Sequence, residues 1–390
     1  MDFSFTKEQE LFREEVKEFL KNELPIERQK IGICAEVDKE FHKKLAERGY
    51  LAICWPKEYG GAGRSHIDLA IFHEEMGYAR APMGSYVETV IFVALSIMSY
   101  GSEEQKNYFI PKIAKGEIKC CWALTEPNAG SDAANIQTTA IEDGDHYIIN
   151  GTKIFISGAN VADWAMSLIR TTKGLKKHEG LTMFLIDMKS EGITVNPLYT
   201  LGGGRVNEIV FDGVRVPKKN IMGEKDRGWY FANVTLDLER SGISGVGEII
   251  RIFEELKDYL KDNKDSYPSW RYNLLRHRLA DMATKIEVAK LFSYRVAWLQ
   301  DKGVVPHVEA AMAKYYSTEL YQDIAELGFQ ILGERGLLEG WYRNTWNSSL
   351  ILLNGIIPQM YRSSMILRVA GGSSEIQKNI IAIRGLGLPR

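Results

Sequence analysis

Cysteine is scarce in this sequence. The 390 residues include 4 cysteines (Cys34, Cys54, Cys120 and Cys121) with no metal-ligand spacing, and the adjacent Cys120–Cys121 pair is a poor disulfide candidate. A disulfide scaffold is excluded, no metal site is expected, and a reduced, cytoplasmic setting is expected. An excess of either charge is also lacking: 49 Lys+Arg stand against 51 Asp+Glu, a formal net charge of −2. No basic field is present to gather nucleic acid or an anionic membrane, so neither is expected as a partner. Long apolar runs are missing too. The longest, Val90 to Met98, is interrupted by Ser96 and falls far short of a membrane span. The N-terminal residues Met1 to Glu8 have neither the apolar core of a secretory signal nor the arginines of a transit peptide. No repeat or low-complexity segment appears. With 45% hydrophobic content, what remains is a soluble globular chain of two or three domains.

Residues 1–119 read as a helical domain. Thr6-Lys-Glu-Gln9 fits a capping box, and Leu11, Phe12, Val16, Phe19 and Leu20 then recur at helical steps. Phe41, Leu45 and Ala46 continue the pattern, the punctuated run Trp55–Gly63 breaks it, and Val87–Met98 is apolar nearly all round, as in a buried helix. Ser102-Glu-Glu-Gln105 is a further capping box, and near the C-terminal end Ser374-x-x-Gln377 reads as another that opens a helix.

From 120 to 227 the period shortens toward that of strands. Turns are expected at Asp143-Gly144 and Asn150-Gly151, with strands at Lys153–Ser157, Ala165–Ile169, Thr182–Ile186 and Glu208–Phe211. Short strands so spaced predict an antiparallel barrel or sandwich. Gly202-Gly-Gly204 resembles a phosphate cradle, but no helix follows it, so a loop is the simpler reading. From 228 to 390 the helical period returns, through Ile243, Val246, Ile250, Phe253, Leu256 and Leu260, then Leu275, Leu279, Met282 and Ile286, then Ala310–Leu332 with Gly333 as its stop. The fold class is α+β: an N-terminal helical domain, a central antiparallel β domain and a C-terminal helical bundle.

The stretch Ala123-Leu-Thr-Glu-Pro-Asn-Ala-Gly-Ser-Asp132 sits where the helical period gives way. A strand ending at Leu124 or Thr125 would run into a loop whose backbone N–H groups could wrap a ring edge or a phosphate, or form an ordinary polar turn. Other segments join it in order: Thr152-Lys-Ile-Phe-Ile-Ser157, Phe211-Asp-Gly-Val-Arg-Val-Pro217 with Gly228-Trp229, Leu236-Asp-Leu-Glu-Arg240, and Gly371-Gly-Ser-Ser-Glu-Ile-Gln377. Together they resemble the acyl-CoA dehydrogenase family across essentially the whole chain. Asn135 departs from the small residue usual at the end of the first motif.

The resemblance implies FAD as cofactor, an acyl-CoA substrate, an electron-transfer flavoprotein as partner, and a homotetramer or heterotetramer. Trp122, Leu124, Thr125, Gly130 and Ser131 would face the isoalloxazine, and Phe155 and Ser157 would cover its other side. Phe155 stands where the family often has Trp. Ser373 and Glu375 would meet the cofactor, as would Gln330 and Gly333 from a neighbouring subunit. Ser131, Asp237, Arg240, Gly371 and Gly372 would contact the acyl-CoA. Some family features are absent: no Arg-x-x-Phe-Gly occurs near Asp262–Arg271, Gly333-Glu334 replaces a Gly-Gly, and extra residues including Trp341, Trp346, Leu350–Leu353 and Met360 lie before Gly371.

The chemistry needs a base for an α-proton and an acceptor for a β-hydride. A carboxylate in a dry pocket suits the first, because desolvation raises its pKa. Most of the family has a Glu for this directly before Gly-Thr/Ser; here that position is Gly371. Three readings follow: the base is relocated to Glu239, as in the branch resembling isovaleryl-CoA dehydrogenase; it comes from a partner subunit; or the chain is an oxidase or monooxygenase on the same fold, needing none. A binding module without chemistry is the alternative outside enzymes. The resemblance predicts a chain that purifies with non-covalent FAD, and release of FMN on acid extraction would contradict it.

Overall fold

The computed structural model describes residues 4–24, 38–84, 86–174, 176–239, 242–339 and 350–389, with the side chains of 234–239 outside the description. Helices α1 (Lys7–Glu23), α2 (Lys39–Glu47), α3 (His66–Tyr78), α4 (Leu95–Tyr100) and α5 (Glu103–Ala114) come first. Strands follow: β1 (Cys120–Ala123), β2 (Thr139–Asp143), β3 (His146–Ile156), β4 (Trp164–Arg170), β5 (Leu181–Asp187), β6 (Ile193–Tyr199), β7 (Arg205–Pro217) and β8 (Ile221–Met222). The chain closes with α6 (Gly228–Glu239), α7 (Ile243–Asp262), α8 (Ser269–Asp301), α9 (His307–Leu332), α10 (Ile356–Leu367) and α11 (Ser374–Ile380). Contacts divide it into two compact units. A helical unit comprises Met1–Ile33, Ser65–Pro82 and Arg240–Arg390; a sheet unit comprises Cys34–Arg64 and Met83–Glu239.

In the helical unit, α7 supplies Val246, Ile249, Ile252 and Leu256 to a core shared with Leu279, Met282 and Ile286 of α8 and Leu320 and Ile324 of α9. Ile250 and Phe253, expected on the buried face, lie at its edge instead. The face is turned because α7 also packs along α3. That crossing is backbone on backbone. A Cβ on Gly77 would stand 1.9 Å from the Ser244 carbonyl oxygen, and one on Gly247 would stand 2.1 Å from that of Glu74. Arg13 of α1 ties the crossing to α8, donating to Glu74 at 2.9 Å and to Tyr294 at 2.9 Å. The capping box at Thr6 forms as expected, whereas Leu11 points outward and is exposed. Gly333 ends α9 at φ 62°, a conformation that a side chain would strain.

The sheet unit holds one 8-stranded sheet ordered β6-β7-β3-β2-β4-β5-β8, with β1 added beside β4. Its hairpins are antiparallel, while β1 runs parallel to β4. The turn expected at Asn150-Gly151 is absent; β3 runs straight through it with a register shift between Ile149 and Gly151. Glycine is needed there for a different reason: at φ 146° its Cβ would fall 2.5 Å from Thr138 Oγ1. Gly202-Gly-Gly204 is the β6–β7 hairpin turn, closed by Thr200 N–H on the Gly204 carbonyl at 2.9 Å. The buried segment Val87–Ala94, wound as a π-helix, runs into α4, and the Thr89 hydroxyl accepts from the Cys120 N–H at 2.9 Å. Among the described residues no helix is long and apolar enough to cross a membrane.

The α3–α7 crossing yields a paired test. Gly247→Ala should destabilise the protein by roughly 1–3 kcal/mol, the cost of forcing bulk into a closed contact. Gly245→Ala, where a Cβ meets nothing within 4 Å, should leave stability unchanged or raise it by up to about 1 kcal/mol through helix propensity. Thermal or urea unfolding of the two variants measures the contrast, and equal effects would refute the backbone contact.

Candidate active site

Strand β1 ends at Ala123, and the chain leaves the sheet through Leu124 and Thr125. Pro127 cannot donate to a ladder, and the chain folds back so that Glu126 and Ala129 exchange two backbone hydrogen bonds of 3.2 and 3.1 Å. Beneath this turn lies a buried ion pair. The Lys153 ammonium, 0% exposed, donates to Glu126 Oε1 at 2.8 Å and to the carbonyls of Leu168 at 2.6 Å and Leu124 at 3.2 Å. Glu126 also accepts from the backbone N–H groups of Gln137 at 2.6 Å and Thr138 at 3.1 Å. Burial works against the Glu126 carboxylate, but the charge of Lys153 and these hydrogen bonds more than offset it, holding its pKa below the ordinary value.

The loop and β3 are brought together at this point. Ile154 N–H donates to the Thr125 carbonyl at 2.8 Å, which sets Thr125 and Leu124 alongside Phe155. Phe155 occupies a break in the β3–β7 register, at φ 60° with its ring 62% exposed. A left-handed backbone strains an aromatic residue, and such strain collects at ligand sites; the uncovered ring adds apolar surface open to a partner. Ser157 follows, just before Gly158 at φ 69°. The Trp122 ring packs 4.5 Å from Phe92, and its buried indole N–H finds no hydrogen-bond partner among the described residues. Gly130 and Ser131 lie exposed beyond the turn. Helix α6 starts hard against β5, where a Cβ on Gly228 would lie 2.6 Å from the Met183 nitrogen. Asp237 and Glu239 belong to its last turn, but their side chains, like all of Arg240, fall outside the described residues.

The remaining predicted residues gather in the helical unit. Gly371 at φ 67° and Gly372 at φ 94° form a left-handed turn before α11. The Gln377 side-chain amide donates to both of their carbonyls at 3.1 Å, and the Lys314 ammonium donates to that of Gly372 at 2.8 Å. Ser373 is the N-cap of α11, its hydroxyl accepting from Ile376 N–H. Ser374 instead donates to Glu319 at 2.7 Å, so the cap stands one residue earlier than Ser374-x-x-Gln377 suggests. Glu375, in the first turn, has its carboxyl pKa lowered by its own backbone N–H and by the Ser373 hydroxyl. Gln330 and Gly333 sit at the end of α9, where the Gln330 side chain accepts from Arg278 at 2.7 Å and its carbonyl from Arg271 at 3.0 Å. The extra residues Trp341 and Trp346 fall outside the described residues.

These residues fit a flavin. Trp122 has an unmatched indole donor and Phe155 an uncovered ring, beside a loop held rigid from below. Sequence reasoning missed Lys153 and Gln377 as the groups that hold the two turns. No sequence signal singled out Lys153, because a strand period of two sets it on the face opposite Ile154 and Ile156. Glu248 of α7 was also unforeseen. Burial raises its pKa to about 7, against a hydrogen bond from Tyr321 at 2.8 Å, and it lies in the helical core between α7 and α9.

Family models for the acyl-CoA dehydrogenase N-terminal, middle and C-terminal domains match residues 6–117, 121–214 and 226–386. The acyl-CoA dehydrogenase FadE26 of Mycobacterium tuberculosis is 34% identical, over 100% of this chain and 99% of its own. Among solved structures, the Tcur3481-Tcur3483 steroid ACAD superposes with a TM-score of 0.91 at 32% identity, covering 100% of each chain. The ChsE4-ChsE5 complex from Mycobacterium tuberculosis gives 0.89 at 33% identity, again over 100% of each. A helix–sheet–helix enzyme with this loop, this bulged strand and this double-glycine turn is a CH–CH oxidoreductase of the flavin-dependent type. The chain belongs to the acyl-CoA dehydrogenase family.

The ion pair under the loop can be tested directly. Lys153→Met strands a buried carboxylate and should destabilise the protein by about 3–5 kcal/mol. The Glu126→Gln/Lys153→Met double variant should recover most of that loss. Urea unfolding of the single and double variants measures it, and a double variant as unstable as Lys153→Met would contradict the pairing.

Proposed function

We propose that this chain is an FAD-dependent dehydrogenase that desaturates an acyl-CoA thioester between Cα and Cβ, on a branched, cyclic or aryl acyl group. The observation that carries this reading is the whole-chain match to acyl-CoA dehydrogenases, a steroid enzyme among them, by a chain with glycine at the usual base position. Bound FAD would supply the acceptor for the β-hydride. The resemblance names Trp122, Leu124, Thr125, Gly130, Ser131, Phe155, Ser157, Ser373 and Glu375 as the residues that would hold it. Gln330 and Gly333 would serve a neighbouring subunit's flavin.

Glu239 would remove the α-proton in this reading, as a carboxylate can where exclusion of water raises its basicity. Gly371 keeps a backbone N–H to polarise the thioester oxygen, so loss of the usual side chain does not remove that donor. Asp237, Arg240, Ser131 and Gly372 position the coenzyme portion. Its left-handed φ of 67° suits Gly371 to glycine and disfavours a carboxylate side chain there, which supports a base placed elsewhere. An electron-transfer flavoprotein takes the electrons onward. A second reading, in which a partner chain supplies the base, draws support from the paired names of the similar solved structures.

Anaerobic titration with straight, branched, cyclic, aryl and steroid acyl-CoA thioesters tests the function: at least one class should bleach the flavin, and no bleaching by any would overturn it. Glu239→Gln keeps shape and hydrogen bonding but cannot take the proton. It should retain FAD and acyl-CoA while flavin bleaching slows by at least ~10²-fold. Near-normal bleaching would discard Glu239 and leave the partner-supplied base.

A further inference from the structure

Asn207 lies on β7 with 0% of its surface exposed. Arg205 Nε donates to its Oδ1 at 2.8 Å, and its Nδ2 donates to the Ile156 carbonyl at 3.0 Å and to Asn160 Oδ1 at 3.2 Å. A guanidinium can only donate and a carbonyl can only accept, so these partners fix which end of the amide faces which way. A carboxamide is costly to bury unless its atoms are matched in this manner. Here the matching partners bracket Ser157, one before it on β3 and one after it beyond the Gly158 turn.

Asn207 also stands opposite the irregular part of β3. Lys153 pairs with Ile209 and Ile156 with Asn207, so β3 carries one more residue than β7 between those pairs. The extra residue makes a bulge, and Phe155 lies in it at φ 60°. An earlier irregularity, between Ile149 and Gly151, puts the extra residue on β7 instead, where Gly213 N–H donates to Asn150 Oδ1 at 2.8 Å. The two offsets cancel, and beyond Phe155 the ladder returns to the register it had before Gly151. A slide of the β3 bulge by one residue would turn Phe155 to the other face of the sheet. The bulge is held on both sides against such a slide. Before Phe155, Ile154 N–H donates to the Thr125 carbonyl at 2.8 Å; after it, the Ile156 carbonyl accepts the Asn207 amide. A left-handed residue other than glycine persists only where its surroundings over-determine it.

We propose that Asn207 is a positioning residue of the flavin site: its buried amide, oriented by Arg205, locks the β3 bulge in the register that displays Phe155 and Ser157. With no exposed surface, it acts through those residues and not by touching a ligand. This rests on the flavin reading above and adds to it the group that shapes one wall of the site.

The test pairs FAD affinity with hydrogen exchange of the FAD-free full chain. Asn207→Asp keeps the size of the side chain and an acceptor for Arg205, but it removes both amide protons. FAD should bind this variant about tenfold more weakly than the wild type, the effect expected for the loss of two buried hydrogen bonds. Deuterium uptake should quicken in the peptide covering residues 153–160, while peptides from β4 and β5 keep their wild-type rates. Unchanged FAD affinity would overturn the proposal. So would uptake that rises equally across the sheet, or that stays at the wild-type rate in 153–160, since Asn207 would then be ordinary packing. Arg205→Leu, at a half-buried position, serves if the first variant does not fold. It leaves Asn207 in place with its oxygen unmatched, and should weaken FAD binding by about threefold with the same local rise in exchange. Wild-type values for either readout would overturn the proposal. A wild type that takes up no FAD would defeat the flavin reading itself and this proposal with it, whereas unchanged affinity in the variants defeats this proposal alone.

Discussion

The sheet unit depends on one buried ion pair. An ammonium with no exposure is costly unless all its protons find acceptors, and Lys153 finds Glu126 and the carbonyls of Leu124 and Leu168. Those partners belong to the loop after β1 and to β4, while Lys153 itself is on β3. One side chain thus fixes where the chain leaves the sheet, how the Glu126–Ala129 turn is seated, and where Phe155 is displayed. Glu126 completes the arrangement by accepting the N–H groups of Gln137 and Thr138, which anchor the returning chain. The exposed tip can present Gly130 and Ser131 because its base is closed by buried electrostatics.

In the helical unit the corresponding constraint is the absence of side chains. Gly77 and Gly247 let α3 and α7 touch backbone to backbone, and the apolar face of α7 is oriented from that contact toward α8 and α9. A second pair of glycines, Gly371 and Gly372, makes the left-handed turn before α11, pinned by Gln377 and Lys314. A residue with a Cβ at Gly371 would pay roughly 1–2 kcal/mol for that conformation. The loss of a carboxylate here and the geometry of the turn are therefore one fact seen twice.

Much of this was legible in the sequence wherever the physics is local. The capping boxes at Thr6 and Ser102, the stop of α9 at Gly333 and the strands at Ala165–Ile169 and Thr182–Ile186 follow from neighbouring residues alone. Local rules failed where a distant atom decided the outcome. Asn150-Gly151 carries a hairpin signal, yet its glycine answers to Thr138, just before the neighbouring strand β2. Ser374 looks like a cap, yet Glu319 on α9 takes its hydroxyl, and Ser373 caps instead.

The sequence by itself determined the α+β order, the family motifs and the glycine at the position of the usual base, because these are matters of periodicity and residue identity along the chain. Tertiary structure alone decided that Lys153 lies inward beneath the loop and that Phe155 stands strained and uncovered. Hydrogen bonding and burial depend on which segments fold onto one another, and no spacing along the chain encodes the distance across a sheet.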